Sequence, residues 1–193
     1  MKKKIILIAS GNGSNVENIC NFFKQDSEVS IVAVFTNNPN AGVLKRVIAY
    51  GLKGIVFDKE SFSNGKLLQS IKRLNPDLIV LAGFLWKIGA DWIRFFPKKI
   101  INIHPSLLPK YGGKGMYGSN VHKAVKENQE NETGITIHFV NKEYDKGDFL
   151  FQSRVKISEN DTLNVIASKV SELEHLYFPK VINTFLKQNE NEV

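Results

Sequence analysis

The feature that most constrains this chain is an apolar run without alternation, Lys4-Ile-Ile-Leu-Ile-Ala9, broken off by Ser10-Gly-Asn-Gly-Ser-Asn15. A strand that is apolar at successive positions has to be covered on both faces, as strands of a parallel sheet are. Val16, Ile19, Cys20 and Phe23 then recur at helical spacing. Strand, glycine-rich turn and helix make a cradle in which backbone N–H groups and a helix N-terminus receive a phosphate, the glycines allowing close approach. A dinucleotide site fits less well. Gly11 and Gly13 are not followed by a third glycine at Val16, and the next strand ends Val34-Phe-Thr-Asn-Asn38 without an acidic residue for a ribose.

The pattern repeats along the first half. Val29 to Phe35 reads as a strand, Asn37-Asn-Pro-Asn40 as a turn, and Val43, Leu44, Val47 and Ile48 as one helical face. Gly54 to Phe57 is a short strand, followed by a helix carrying Leu67, Leu68, Ile71 and Leu74 that Asn75-Pro76 terminates. Asp77 to Ala82 is another buried strand. Its exit, Gly83-Phe84-Leu85-Trp86, offers aromatics either to a pocket or to the core. A helix from Ile88 to Phe95 closes at Pro97, and Lys99 to Ile103 forms the next strand.

That strand ends in Asn102-Ile-His-Pro-Ser-Leu-Leu-Pro109. Residues two apart in a strand share a face, so Asn102 and His104 project together, and Pro105 ends the ladder. A carboxamide donor beside an imidazole suits a reaction that builds charge on a carbonyl oxygen. Lys110-Tyr-Gly-Gly-Lys-Gly115 belongs to a long mobile loop from Leu107 to Ser119, and Asn120 to Lys126 is helical. The alternating run Gly134 to Val140 leads into Asn141-Lys-Glu-Tyr-Asp145-Lys-Gly147, where Asp145 is the candidate third member of the site. Phe149 to Ile157 closes a hairpin, and Asp161-Thr162 caps a final helix through Val165, Ile166, Val170, Leu173 and Leu176 to Phe178, with an interruption at Pro179. The fold class is therefore α/β: an open twisted sheet, mostly parallel and mixed towards the C-terminus, with helices on both faces. One domain over 1–193 is expected, with 1–100 as the phosphate- and nucleotide-binding half and 101–193 as the catalytic half.

Composition narrows the function classes. No apolar run reaches the roughly 20 residues of a membrane span, and Ile5 to Ile8 is too short for a signal peptide, so a cytoplasmic protein is expected. A single cysteine and four histidines leave no disulfide and no thiolate-rich metal site. The net charge of +7 is spread over scattered lysines, which suits small phosphorylated ligands better than nucleic acid.

Five motifs stand in order: Ser10 to Asn15, Leu81-Ala-Gly-Phe84, Asn102 to Tyr111, Gly134 to Val140, and Tyr144 to Asp148. Together, over nearly the whole chain, they resemble the phosphoribosylglycinamide formyltransferases of the folate-dependent formyltransferase family. The resemblance implies a Rossmann-like formyltransferase fold and transfer of the formyl group of 10-formyltetrahydrofolate, a co-substrate, to the amine of glycinamide ribonucleotide in purine synthesis, without a metal. It implies Asn102, His104 and Asp145 as catalytic residues and Gly13, Ser14 and Asn15 around the substrate phosphate. Glu174 falls near the ribose, and His138 supports the site from behind. Leu85, Trp86, Lys87 and Ile88, with Asn102, Asn141 and Tyr144, fall around the folate. Leu85-Trp86-Lys87-Ile88 replaces the Met-Arg-Ile-Leu of many relatives, and Gly112 to Gly118 differs from their shorter Pro-Gly segment. The implied partners are small molecules, with no nucleic acid or membrane, in a monomer or homodimer. Methionyl-tRNA formyltransferase and formyltetrahydrofolate deformylase share the Asn-x-His and Asp logic. They usually carry a further C-terminal or N-terminal domain, whereas this chain begins at its first strand and ends soon after its last helix. A non-catalytic nucleotide-binding module is the remaining alternative, and the presence of all three polar residues argues against it.

Overall fold

Strand β1 (Lys3–Ala9) buries Ile5, Ile6, Leu7 and Ile8 completely, as an unalternating run requires. The computed structural model describes residues 2–188. After β1 come α1 (Ser14–Phe22), β2 (Val29–Thr36), α2 (Val43–Arg46) with a 3-10 turn (Val47–Tyr50), β3 (Gly54–Val56), α3 (Lys59–Ser63), α4 (Lys66–Leu74) and β4 (Leu78–Leu81). Then follow α5 (Ala90–Phe95), β5 (Ile100–His104), α6 (Ser119–Glu127), β6 (Glu132–Phe139), β7 (Phe149–Lys156) and α7 (Leu163–Gln188). The seven strands form one sheet in the order β3-β2-β1-β4-β5-β6-β7. The pairs β1/β2, β1/β4 and β2/β3 are parallel, and β6/β7 is antiparallel, which makes the sheet mixed as expected.

Two compact units divide these residues: 2–86, 99–101 and 183–188 form one, and 87–98 and 102–182 the other. In the first, β1 lies between β2 and β4, so the strand order reverses beside it, the place where open α/β sheets take their ligands. Phe84 and Trp86, at the exit of β4, pack with Phe57 and Phe62, the ring centroids lying 5.4 to 6.3 Å apart. Phe84 and Trp86 stay half-buried within this cluster rather than entering the core. Ile48, expected on the inner helical face, is 69% exposed. The helix tightens to 3-10 geometry at Val47, and a period of three carries Ile48 off the stripe that Val43 and Val47 share. A helix not anticipated, α3, precedes α4; its N-cap is Asp58, whose Oδ1 accepts the Ser61 N–H at 2.7 Å.

In the second unit Val121, Val125, Ile157 and Ile166 form a buried cluster against which Tyr111 and Met116 pack. Helix α7 does not break at Pro179, which lies buried inside it. Phe178 and Ile182, both wholly buried on either side, hold the helix through the missing N–H. Ile166, Val170, Phe178, Ile182 and Leu186 are buried at intervals of four or eight, and half-buried Glu174 stands in the same row. Val165 and Leu176, expected inside, are 40% and 47% exposed because the row passes to one side of them. Thr162 caps the helix through its Oγ1, 3.3 Å from the Val165 N–H, while Asp161 is engaged by the Ser158 N–H and Lys169.

Buried His122 on α6 has a pKa lowered by burial, and its Nδ1 has no hydrogen-bond partner. A folded-state pKa below the unfolded one contributes stability that is complete above the unfolded value and is lost as pH falls through the folded one. His122→Leu should therefore flatten the acid side of a stability–pH curve, by up to about 1.4 kcal/mol per pH unit. Chemical denaturation at stepped pH measures this, and an unchanged slope refutes it.

Candidate active site

The glycine-rich turn and the exit of β4 meet within the first unit. Ser10 donates its N–H to the Gly83 carbonyl at 3.0 Å and accepts the Leu85 N–H on Oγ at 3.1 Å. Gly13 initiates α1 at φ 80, and a Cβ there would fall 2.6 Å from Val43. Only glycine satisfies both the dihedral and the contact. The turn is braced from α2: Val43 N–H donates to the Gly11 carbonyl at 3.3 Å, and Arg46 Nε to the Asn12 carbonyl at 2.8 Å. Arg46 also pairs with Glu17 on α1. Ser14 and Asn15 open α1, where the first-turn N–H groups lack intrahelical acceptors and carry the positive end of the helix dipole.

The polar side chains read from the second half come together in the second unit. Asn102 and His104 occupy alternate positions of β5, and His104 is only 3% exposed. Asp145 lies in the β6–β7 loop at φ 55, a left-handed conformation that aspartate tolerates better than most residues. Its Oδ2 is 3.6 Å from His104 Nδ1, and its Oδ1 is 3.6 Å from His138 Nε2. These separations are ion-pair distances, beyond a direct hydrogen bond. The Gly113 N–H donates to Asp145 Oδ2 at 2.9 Å.

The hydrogen bonds fix the ring tautomers. His104 Nε2 lies 2.8 Å from the Tyr111 carbonyl, which can only accept, so Nε2 carries the proton and Nδ1 faces Asp145. His138 Nδ1 likewise donates to the Phe139 carbonyl at 2.8 Å, leaving Nε2 to accept from Asn102 Nδ2 at 3.3 Å. His138 thus orients the Asn102 carboxamide. Burial pushes the His104 pKa down and His138 adds to this, while the Asp145 charge and the Tyr111 carbonyl oppose it; the net direction is down. Burial pushes the Asp145 carboxyl up, but His138 once protonated on Nε2, the His104 charge and the Gly113 N–H hold it below its ordinary value. A buried carboxylate therefore faces an imidazole whose second proton has one place to sit, Nδ1.

Two of these partners have no side-chain signature. The Tyr111 carbonyl and the Gly113 N–H both belong to the loop expected to be mobile. Residues 106–113 are instead tied down, since Leu108 N–H donates to Thr136 Oγ1 at 3.0 Å, Gln152 to the Leu108 carbonyl at 2.9 Å, and Ser106 Oγ to the Lys110 carbonyl at 2.7 Å. Asn141 uses its carboxamide on its own loop, donating to the Lys146 carbonyl and accepting the Glu143 N–H, both at 2.8 Å. Lys87 Nζ lies 5.7 Å from the Tyr144 ring centroid, and Ile88 is buried. Cys20 is buried, and burial pushes its thiol up to about 12, so it is no nucleophile. Among the described residues no cluster of three His, Cys, Asp or Glu could hold a metal ion, and no helix is long and apolar enough to cross a membrane.

Gly147 sets the position of the Asp145 loop. A Cβ there would fall 1.7 Å from the Phe139 carbonyl oxygen, the acceptor of His138 Nδ1. Gly147→Ala should cost about 3 kcal/mol, at the upper end of overpacking, with a melting temperature lower by roughly 6–12 °C and reduced turnover. Calorimetry reads the first, and a melting temperature within a degree or two of the parent refutes the account.

A carboxamide, an imidazole and a carboxylate thus stand together where β5 ends, and the chain belongs to the formyl transferase family, whose sequence model matches residues 3–182. The relatives it resembles are named phosphoribosylglycinamide formyltransferase. That of Bacillus subtilis is 34% identical over 97% of this chain and 96% of its own length. The chloroplastic protein of Arabidopsis thaliana is 37% identical over 97% of this chain, which spans 66% of that longer protein. The crystal structure of the Bacillus halodurans protein of that name superposes with a TM-score of 0.88 at 29% identity, covering 98% of each chain.

Proposed function

We propose that the chain transfers the formyl group of 10-formyltetrahydrofolate to the amine of 5-phosphoribosylglycinamide, a step of purine biosynthesis. The observation that carries this reading is the grouping of Asn102, His104, His138 and Asp145, in a chain whose relatives bear that enzyme's name. The folate co-substrate supplies a formyl carbon open to attack by an amine. As the amine adds, negative charge grows on the formyl oxygen, and Asn102 Nδ2, held by His138, has a second N–H to donate to it. When the tetrahedral adduct collapses, the bond from the formyl carbon to the folate nitrogen breaks. The attacking amine loses a proton and the leaving folate nitrogen gains one, a transfer that His104 at Nδ1 and Asp145, through water, would carry, the Asp145 charge favouring protonated His104. No covalent enzyme intermediate is needed.

Gly13, Ser14 and Asn15 are assigned to the substrate phosphate, for which the braced turn at the start of α1 is suited. Glu174, the one acidic residue in the buried row of α7, is assigned to the ribose. For the folate, Leu85 has its N–H engaged by Ser10, which leaves its carbonyl and its 48% exposed side chain available. Lys87, Tyr144 and the backbone of Asn141 complete that assignment, with Trp86 and Ile88 as packing support. The test is to offer the formyl donor with glycinamide ribonucleotide or with initiator methionyl-tRNA. Formylation of the ribonucleotide alone supports the reading; formylation of the tRNA, or of neither, overturns it.

A further inference from the structure

Tyr111 is fixed at three points. Its ring packs on the cluster of Val121, Val125, Ile157 and Ile166; its hydroxyl donates to Glu130 Oε1 at 2.8 Å; and its carbonyl accepts His104 Nε2–H at 2.8 Å. Its backbone sits at φ 56, a strained conformation for a tyrosine, which persists only where the surroundings enforce it. The same Glu130 oxygen also holds Lys110 Nζ at 2.8 Å, so one carboxylate grips both consecutive residues. These hydrogen bonds keep Glu130 ionised, its pKa lowered chiefly by Lys110 and then by Tyr111; burial, followed by Glu130, pushes the Tyr111 hydroxyl up to about 12. Glu130 lies in the turn between α6 and β6, away from the groups that face His104. Those groups are Asp145, His138 and the Tyr111 carbonyl.

We propose that Glu130 is a positioning residue for His104. By holding Tyr111 in its left-handed conformation, it aims the Tyr111 carbonyl at Nε2, fixes the proton on that nitrogen, and so reserves Nδ1 for the proton that Asp145 faces. The inference rests on the reading of His104 as the proton-handling group, but its direct readout, the His104 tautomer, does not depend on activity. Without the Glu130 tie, Tyr111 relaxes, Nε2 loses its acceptor, and the neutral ring redistributes its proton between the two nitrogens.

The experiment is nitrogen-15 NMR of the His104 ring, at a pH well above the ordinary imidazole range, on the full chain and on Glu130→Ala, Tyr111→Phe and Glu130→Gln. The parent should show a pyrrole-type Nε2 and a pyridine-type Nδ1. Glu130→Ala and Tyr111→Phe should move both resonances towards the averaged values of a tautomer mixture. Turnover should fall at least about tenfold with KM nearly unchanged, within the ~10²-fold that a 1 Å misplacement costs. Glu130→Gln keeps an oxygen for the Tyr111 hydroxyl and should retain the parental pattern. Parental His104 resonances in both Glu130→Ala and Tyr111→Phe overturn the proposal. If Glu130→Ala does not fold, Tyr111→Phe, which loses a single oxygen atom, decides alone. Shifted resonances with undiminished turnover uphold the positioning and overturn instead the role assigned to His104.

Discussion

Asn102→Ala should fold with parental stability and lose about 10²–10³-fold in kcat, the effect of removing one preorganised oxyanion donor, or about 2.7–4 kcal/mol of barrier. The side chain is partly buried and its recorded partner is His138 Nε2, so truncation leaves a small polar gap that water can fill. The loss should appear in kcat with little change in KM, because the donor is needed only once charge has formed. Steady-state kinetics with both substrates varied measures it. Turnover within threefold of the parent would remove Asn102 from the reaction.

Asp145→Asn keeps the shape of the residue and an oxygen for the Gly113 N–H but removes the charge that faces both imidazoles. We expect kcat to fall by roughly 10²–10⁴-fold, the range of general acid–base contributions. The sign of the accompanying change follows from geometry. The Asp145 charge raises the His104 pKa against burial, so its removal drives that pKa further down and the acid limb of a His104-dependent pH profile moves to lower pH. A depressed carboxylate pKa stabilises the fold above its unfolded value and stops doing so as pH falls through the folded one, so the variant should also lose part of the parent's acid sensitivity. An unmoved His104 titration would show that the two groups are uncoupled.

Much of this was legible in the chain. The unalternating runs of β1 and β4 announced strands covered on both faces; the alternating run of β6 read as a strand too, but its alternation misled about burial, since residues 133–138 are buried at successive positions. The 3-10 turn at Val47 and the short α3 were not, because a change of helical pitch and a single capped turn leave too few apolar positions to set a period. In the site, Asn102, His104 and Asp145 stood out because their side chains carry the chemistry. The Tyr111 carbonyl and Gly113 N–H are backbone groups present at every residue, and only the path of the loop makes them partners. The engagement of Asn141 with its own loop was invisible for the same reason: an Asn suits a turn as well as a ligand.

The division of the chain into units bears on how it is made. The unit that begins with β1 includes residues 183–188, where Leu186 is buried, so its core is assembled from segments separated by most of the polypeptide. During synthesis, β1, β2 and β4 leave the ribosome long before the last turns of α7, which belong to the same unit. Contacts between segments this far apart in sequence slow folding.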